Sequence, residues 1–309
     1  MIYTITLNPA LDRTLFVEGM NVNGTSRIKR EARYAGGKGI DVSRALVEMD
    51  VPTVAMGLVG GFDGKEFEGR LLNEGVACDF TRIAGEIRTN IIIHDESTGR
   101  ESALLARGPE VQPVEIMDFV SRLEKLRAVD FLVISGSLPP GVSPAVYRRI
   151  VQVATDNDIR VLLDASGAAL RHGIRSGPTV IKPNRTELAE LVGKELEEPT
   201  AIVEACRELL ERVRIVLVSL GADGMVMLDA ERALHARPPR VEVKSTVGAG
   251  DCAVAGFLHG MVTSEDPVDC LRRAVASGTA ATLNEGTGLC RCEDIDRLLP
   301  EVEVKEVAS

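Results

Sequence analysis

What most constrains this chain is a repeated exchange of two hydrophobic periods. Short β-branched runs occur at 2–7, 53–59, 131–134, 160–163, 179–181 and 215–220. Longer amphipathic stretches lie between them. In 113–126 the apolar residues Ile116, Phe119, Val120 and Leu123 recur at helical spacing. Segment 143–155, with Pro144 early, reads as a capped helix, and 200–213 repeats the pattern. Strand, helix and strand in series predict right-handed crossovers and a mostly parallel sheet covered on both faces, an α/β fold. Ligands in such folds bind beyond the carboxyl ends of the strands, so the loops there are the first place to look for chemistry.

Two segments break the rhythm. Residues 14–34 and 88–106 are β-rich but lack crossover helices, and Glu96-Ser-Thr-Gly99 reads as a hairpin turn. They predict a small sheet projecting from the main body, with edge strands of the main sheet as the alternative. No repeat or low-complexity linker divides the 309 residues, so a single domain is expected.

Composition excludes several classes. The formal charge of −10 argues against a nucleic-acid binder, and 3% aromatics with no Trp argue against stacking platforms. No apolar run is long enough to span a bilayer and no secretory leader is legible, so a cytoplasmic protein is expected. Six cysteines without a C-x-x-C pair, and four scattered histidines, make a structural zinc site improbable. The charge is segregated: residues 1–38 hold six basic side chains against three acids.

Glycine clusters carry the chemistry. Gly36-Gly-Lys-Gly39 precedes a helical stretch, where backbone N–H groups and the helix N-terminus favour an anion. It is no P-loop, because Gly follows Lys38 and position 32 is Ala. Ser245-Thr-Val-Gly-Ala-Gly-Asp251 precedes a second helix. Its loose dinucleotide fingerprint lacks the strand and ribose-binding acid of a dehydrogenase, and a helical stretch follows at 268–283. An anion hole of N–H groups around 248–251 is the more economical reading. Asp251 beside it is either a helix cap or a base for a hydroxyl attacking a phosphoryl group. Asn184 and Glu187, three apart, suit either Mg²⁺ through its waters or a capping box. Ser219-Leu-Gly-Ala-Asp-Gly224 is a hairpin turn or a nucleotide-phosphate loop.

Together with Asn8-Pro-Ala-Leu-Asp12 and Ser135-Gly-Ser-Leu-Pro-Pro-Gly141, these motifs occur in an order that resembles the ribokinase-like sugar kinases, in the phosphofructokinase B branch. The resemblance spans essentially the whole chain. It implies a ribokinase-like three-layer α/β/α core and a small β-sheet lid, about 13–34 and 88–106, that covers the sugar and mediates a homodimer. It implies Asp251 as catalytic base, with Gly248, Ala249 and Gly250 as the anion hole. Asp12, Gly36, Gly37, Gly39 and Asp41 would bind sugar hydroxyls. Lys38, Arg88, Ser137 and Arg27 would take the phosphate already on the sugar. Lys182, Asn184, Ser219, Gly221, Gly224, Val243, Val275 and Thr279 would hold ATP. Asp164 and Glu187 would place Mg²⁺, and Ser245, Val247, Ala281, Asn284 and Gly286 a monovalent cation, K⁺. The expected reaction is ATP-dependent phosphorylation of fructose 6-phosphate, with fructose 1-phosphate or tagatose 6-phosphate as the alternative. A non-catalytic sugar-phosphate sensor is the competing class. One departure stands out: relatives usually have Asn at position 41, whereas an ionised Asp41 only accepts hydrogen bonds and would repel a nearby phosphate.

Overall fold

The computed structural model describes residues 1–21, 23–264, 266–286 and 288–307. The chain opens with β1 (Ile2–Thr6), β2 (Ala10–Val17), β3 (Ile28–Gly36), α1 (Lys38–Glu48), β4 (Thr53–Val59), α2 (Gly61–Asn73) and β5 (Ala77–Arg82). It continues with β6 (Arg88–Asp95), β7 (Arg100–Leu104), α3 (Pro113–Leu123), β8 (Phe131–Ser135), α4 (Ala145–Asp156), β9 (Arg160–Asp164), α5 (Gly167–Ile174) and β10 (Val180–Ile181). Then follow α6 (Arg185–Val192), α7 (Pro199–Arg207), β11 (Ile215–Ser219), β12 (Met225–Leu228) and β13 (Ala233–Arg237). The chain closes with α8 (Ala249–Thr263), α9 (Pro267–Ala281), α10 (Cys292–Leu298) and β14 (Glu303–Glu306).

Ten strands form one sheet in the order β14-β13-β12-β11-β10-β9-β8-β1-β4-β5. Pairing is parallel from β11 to β5 and antiparallel from β11 to β14. The parallel strands are buried on both faces, and their side chains alternate between two cores. Leu132 and Ile134 of β8 join Val161 and Leu163 under α3–α7, while Phe131 and Val133 join Leu162 and Leu217 under α1, α8, α9 and α10. This is the expected three-layer α/β/α sandwich. The strand β5 carries no sequence signal as clear as the others, because it lies on the sheet edge and mixes Asp79 and Arg82 with buried Phe80.

The two β-rich segments build a separate four-stranded sheet, β3-β2-β6-β7, rather than extra edge strands of the main one. Its boundaries run wider than 13–34 on the first segment, since β2 begins at Ala10 and β3 ends at Gly36. The turn between β6 and β7 falls at 96–99, as its sequence predicts.

Helix α8 packs closely against α9 because its facing residues are small. A Cβ on Gly256 would stand 2.4 Å from Ser277 Oγ, and one on Gly260 2.7 Å from Cys270 Cα. That close approach fixes where the N-terminus of α8, with Asp251 in its first turn, meets the strand ends.

Candidate active site

Several of the candidate side chains follow the carboxyl end of a strand or begin a helix. Asp164 ends β9, Lys182 follows β10, and Ser219 ends β11. Asp164 is 1% exposed and lies between two lysines, with Lys38 Nζ 3.3 Å from Oδ1 and Lys182 Nζ 3.3 Å from Oδ2. Burial alone would push this carboxyl up, but Lys182 and Lys38 outweigh it and hold it below the usual carboxylate range. Oδ2 has no aligned hydrogen bond, so it can accept a further donor or cation. Lys182 also reaches the other motif: a Cβ on Gly250 would lie 3.7 Å from its Nζ.

At the head of α8 the backbone turns through Gly248 at φ 75°, a conformation that favours glycine. The N–H groups of Gly248 and Gly250 find no acceptor among the described residues, so both can receive an anion. Asp251 is 8% exposed. Burial raises its carboxyl well above the ordinary value, Asp41 and Asp164 add to this, and Lys38 and Lys182 oppose it. A buried acid raised well above the ordinary carboxylate value beside open N–H donors suits a general base better than a simple cap.

The glycine segment at the start of α1 lies between the two sheets, against Asp12 of β2 and Thr6 of β1. A Cβ on Gly36 would stand 2.1 Å from Asp12 Oδ2, and one on Gly39 2.6 Å from Thr6 Oγ1. Asn90 Nδ2 donates to Asp12 Oδ1 at 2.7 Å, and burial raises the Asp12 carboxyl despite that bond. Asp41 is joined by Arg44, whose Nη1 donates to Oδ1 at 3.1 Å, so its charge is compensated rather than bare. Arg88 donates to the carbonyls of Asn8 and Ala106, and Asn8 Nδ2 donates to Arg107 O at 3.1 Å and Ser137 Oγ at 3.4 Å. Arg88 is thus braced across the junction of the two sheets.

Asn184 and Glu187 do form the capping box: Asn184 Oδ1 accepts from Glu187 N at 2.8 Å, and Glu187 Oε2 accepts from Asn184 N at 2.9 Å. The cap occupies one carboxylate oxygen. Asn184 also bridges to Ser219, and the Gly221–Asp223 turn follows, ending at Gly224. Ser219 and Gly224 therefore flank a turn between β11 and antiparallel β12, the hairpin reading of that motif. Ser245 Oγ donates to Gly286 O at 2.9 Å, and Asn284 N donates to Ala281 O at 3.2 Å. The N–H of Ser245 bonds Thr282 O at 3.4 Å, so these residues meet in one corner beside Val247.

Three candidates stand less engaged. Arg27 is exposed before β3 and makes no hydrogen bond or ion pair with the described residues. Val243 is exposed, and the Thr279 hydroxyl is spent on Val275 O at 2.7 Å. Arg44 and Asn90 were not legible as site residues. An i, i+3 spacing from Asp41 was the only signal for Arg44. Asn90 needed the parallel β2–β6 register, which sets it opposite Asp12.

The pfkB family carbohydrate kinase model matches residues 5–294. The chain belongs to that family. Family members of this kind use ATP, and the open N–H groups, paired lysines and buried Asp251 fit phosphoryl transfer. Among curated relatives, a 1-phosphofructokinase of Bacillus subtilis is 34% identical, covering 98% of this chain and 99% of its own. One of Vibrio cholerae is 35% identical, covering 98% and 96%. The crystal structure of Escherichia coli phosphofructokinase-2 in complex with potassium superposes at TM-score 0.93, with 32% identity over 97% of this chain and 98% of that one.

Proposed function

We propose that this carbohydrate kinase is a hexose-phosphate kinase whose acceptor is fructose 1-phosphate. The observation that carries the choice is full-length likeness to enzymes named 1-phosphofructokinase. Fructose 6-phosphate, the first expectation from sequence, draws support only from likeness to phosphofructokinase-2 structures. A coupled ADP-release assay over fructose 1-phosphate, fructose 6-phosphate and tagatose 6-phosphate tests it. Fastest turnover of either other sugar would overturn the choice, and no ADP release from any would favour a sensor.

The chain's own residues suggest the mechanism. Asp251, its carboxyl raised by burial, takes the proton of the attacking hydroxyl. The open N–H groups of Gly248 and Gly250, with Lys182, stabilise charge as the phosphoryl moves, whereas the Ala249 N–H of the expected anion hole donates to Thr246 O at 3.4 Å. The carboxylates of Asp164 and Glu187 fit Mg²⁺ held through water, which when bound supplies charge neutralisation on phosphate oxygens. Asp12, Asp41 and the Gly36–Gly39 loop hold sugar hydroxyls. Lys38, Ser137, Arg88 and Arg27 serve the existing phosphate, Lys38 by leaving Asp164. Asn184, Ser219, Gly221, Gly224, Val243, Val275 and Thr279 border the nucleotide. The corner of Ser245, Val247, Ala281, Asn284 and Gly286 suits K⁺, which the potassium complex of a related enzyme supports.

The four-stranded sheet acts as lid on one kinase domain spanning the chain. Its exposed Met20, Ile28, Leu104 and Leu105 fit a homodimer contact. Among the described residues no helix is long and apolar enough to cross a membrane. Sedimentation at micromolar concentration tests the dimer, and a monomer would refute it.

A further inference from the structure

We propose that Arg44 is a positioning residue of the sugar site, clamping Asp41 as an ionised acceptor from the side away from the substrate. The proposal rests on the reading of Asp41 as a sugar ligand. Arg44 lies one helical turn after Asp41 on α1, and its side chain is 14% exposed. Its guanidinium is shared between two carboxylates from different elements. Nη1 donates to Asp41 Oδ1 at 3.1 Å, and Nε donates to Glu74 Oε2 at 2.5 Å. Glu74 caps the C-terminus of α2, so the fork ties the sugar helix to a second rigid element. A planar fork held at two points leaves Asp41 little rotational freedom.

The surroundings make that clamp necessary. The Asp41 side chain is 19% exposed and has Asp12 nearby on β2, with Asp251 facing it from α8. Both repel its charge. Arg44 and the Gly37 backbone on its own segment oppose them. Lys38, the other cation of this helix, is turned to Asp164. The balance still leaves the Asp41 carboxyl pushed up to about 7, chiefly by burial. Arg44 therefore decides whether Asp41 accepts a sugar hydroxyl's proton in a hydrogen bond or, once protonated, offers one instead.

The test is the dissociation constant of the hexose phosphate turned over fastest in the panel, measured by calorimetry without ATP from pH 5.5 to 8.5. In the unaltered enzyme, binding should strengthen as pH rises through about 7. Asp41→Asn should flatten that limb, leaving only the titration of the ligand phosphate and of groups other than Asp41. Arg44→Gln should move the limb up by about one pH unit, a roughly tenfold weakening at pH 6.5, and Arg44→Lys should recover only part of it, since one ammonium keeps the charge but not the two-point fork. Should Arg44→Gln not fold, Glu74→Gln gives the opposite sign: Arg44 then serves Asp41 alone and the limb moves down. An unshifted limb in both Arg44→Gln and Glu74→Gln overturns the proposal. Binding indifferent to Asp41→Asn overturns it by a different route, refuting the placement of Asp41 in the sugar site.

Discussion

Lys182 Nζ lies 3.3 Å from Asp164 Oδ2, and the two side chains are only 6% and 1% exposed. This pair joins the loop after β10 to the end of β9 under the anion hole. A buried ion pair is weak evidence of net stability, but removing one partner leaves an uncompensated charge.

Lys182→Met should therefore destabilise the fold by on the order of 3 kcal/mol, the lower part of the usual range because Lys38 remains. Thermal melting at pH 7 checks this. The Asp164 carboxyl is depressed in the fold, so its contribution is complete above the unfolded value of about 3.9 and lost as pH falls further. The deficit of the variant should shrink below pH 4, and a deficit independent of pH would refute the pairing.

Asp251→Asn should reduce kcat by about 10²–10⁴-fold while ATP still binds. Near-normal turnover would sink the base assignment. Stability should move the other way. The native carboxyl is raised, so the fold loses stability as pH rises from about 4 through the raised value. The amide carries no such cost, and the variant should melt higher than the parent at pH 8.

Arg88→Ala should raise KM for the sugar phosphate and lower the melting temperature together, because the carbonyls of Asn8 and Ala106 lose their donor. Arg88→Lys should recover little, since one ammonium cannot reproduce the fork. A change confined to KM for ATP would contradict its place at the sheet junction.

Gly248→Ala should harm activity and stability more than Gly250→Ala. The first adds a Cβ at φ 75° only 2.7 Å from Leu289 Cδ2, whereas the second meets nothing closer than 3.7 Å. The left-handed backbone alone costs about 1–2 kcal/mol for a non-glycine residue. Paired melts and kcat values decide the order.

Replacing K⁺ with choline should lower kcat, and Asn284→Ala should remove that dependence. Equal rates in both salts for the parent enzyme would dismiss the cation corner.

Much of this was legible locally. Gly36–Gly39 and Ser245–Asp251 were legible as glycine turns leading into helices, and α1 and α8 begin there at Lys38 and Ala249. Asn184 shows the limit of such reading. Its spacing to Glu187 fitted a metal site and a capping box equally, and the structure realises the cap. Asp41 shows the converse: read alone it would repel phosphate, yet Arg44, itself held by Glu74 at the end of α2, compensates it.

The sequence by itself determined the α/β architecture, the presence of two β-rich segments without crossover helices, and the order of the glycine motifs. These follow from hydrophobic period and local backbone freedom, which act over a few residues. Only the tertiary structure decided which charges meet. Asp164 lies between Lys38 and Lys182, 126 and 18 positions away along the chain, and Asn90 reaches Asp12 across a parallel pairing. Electrostatic energy depends on distance and burial in space, and neither is written in sequence order.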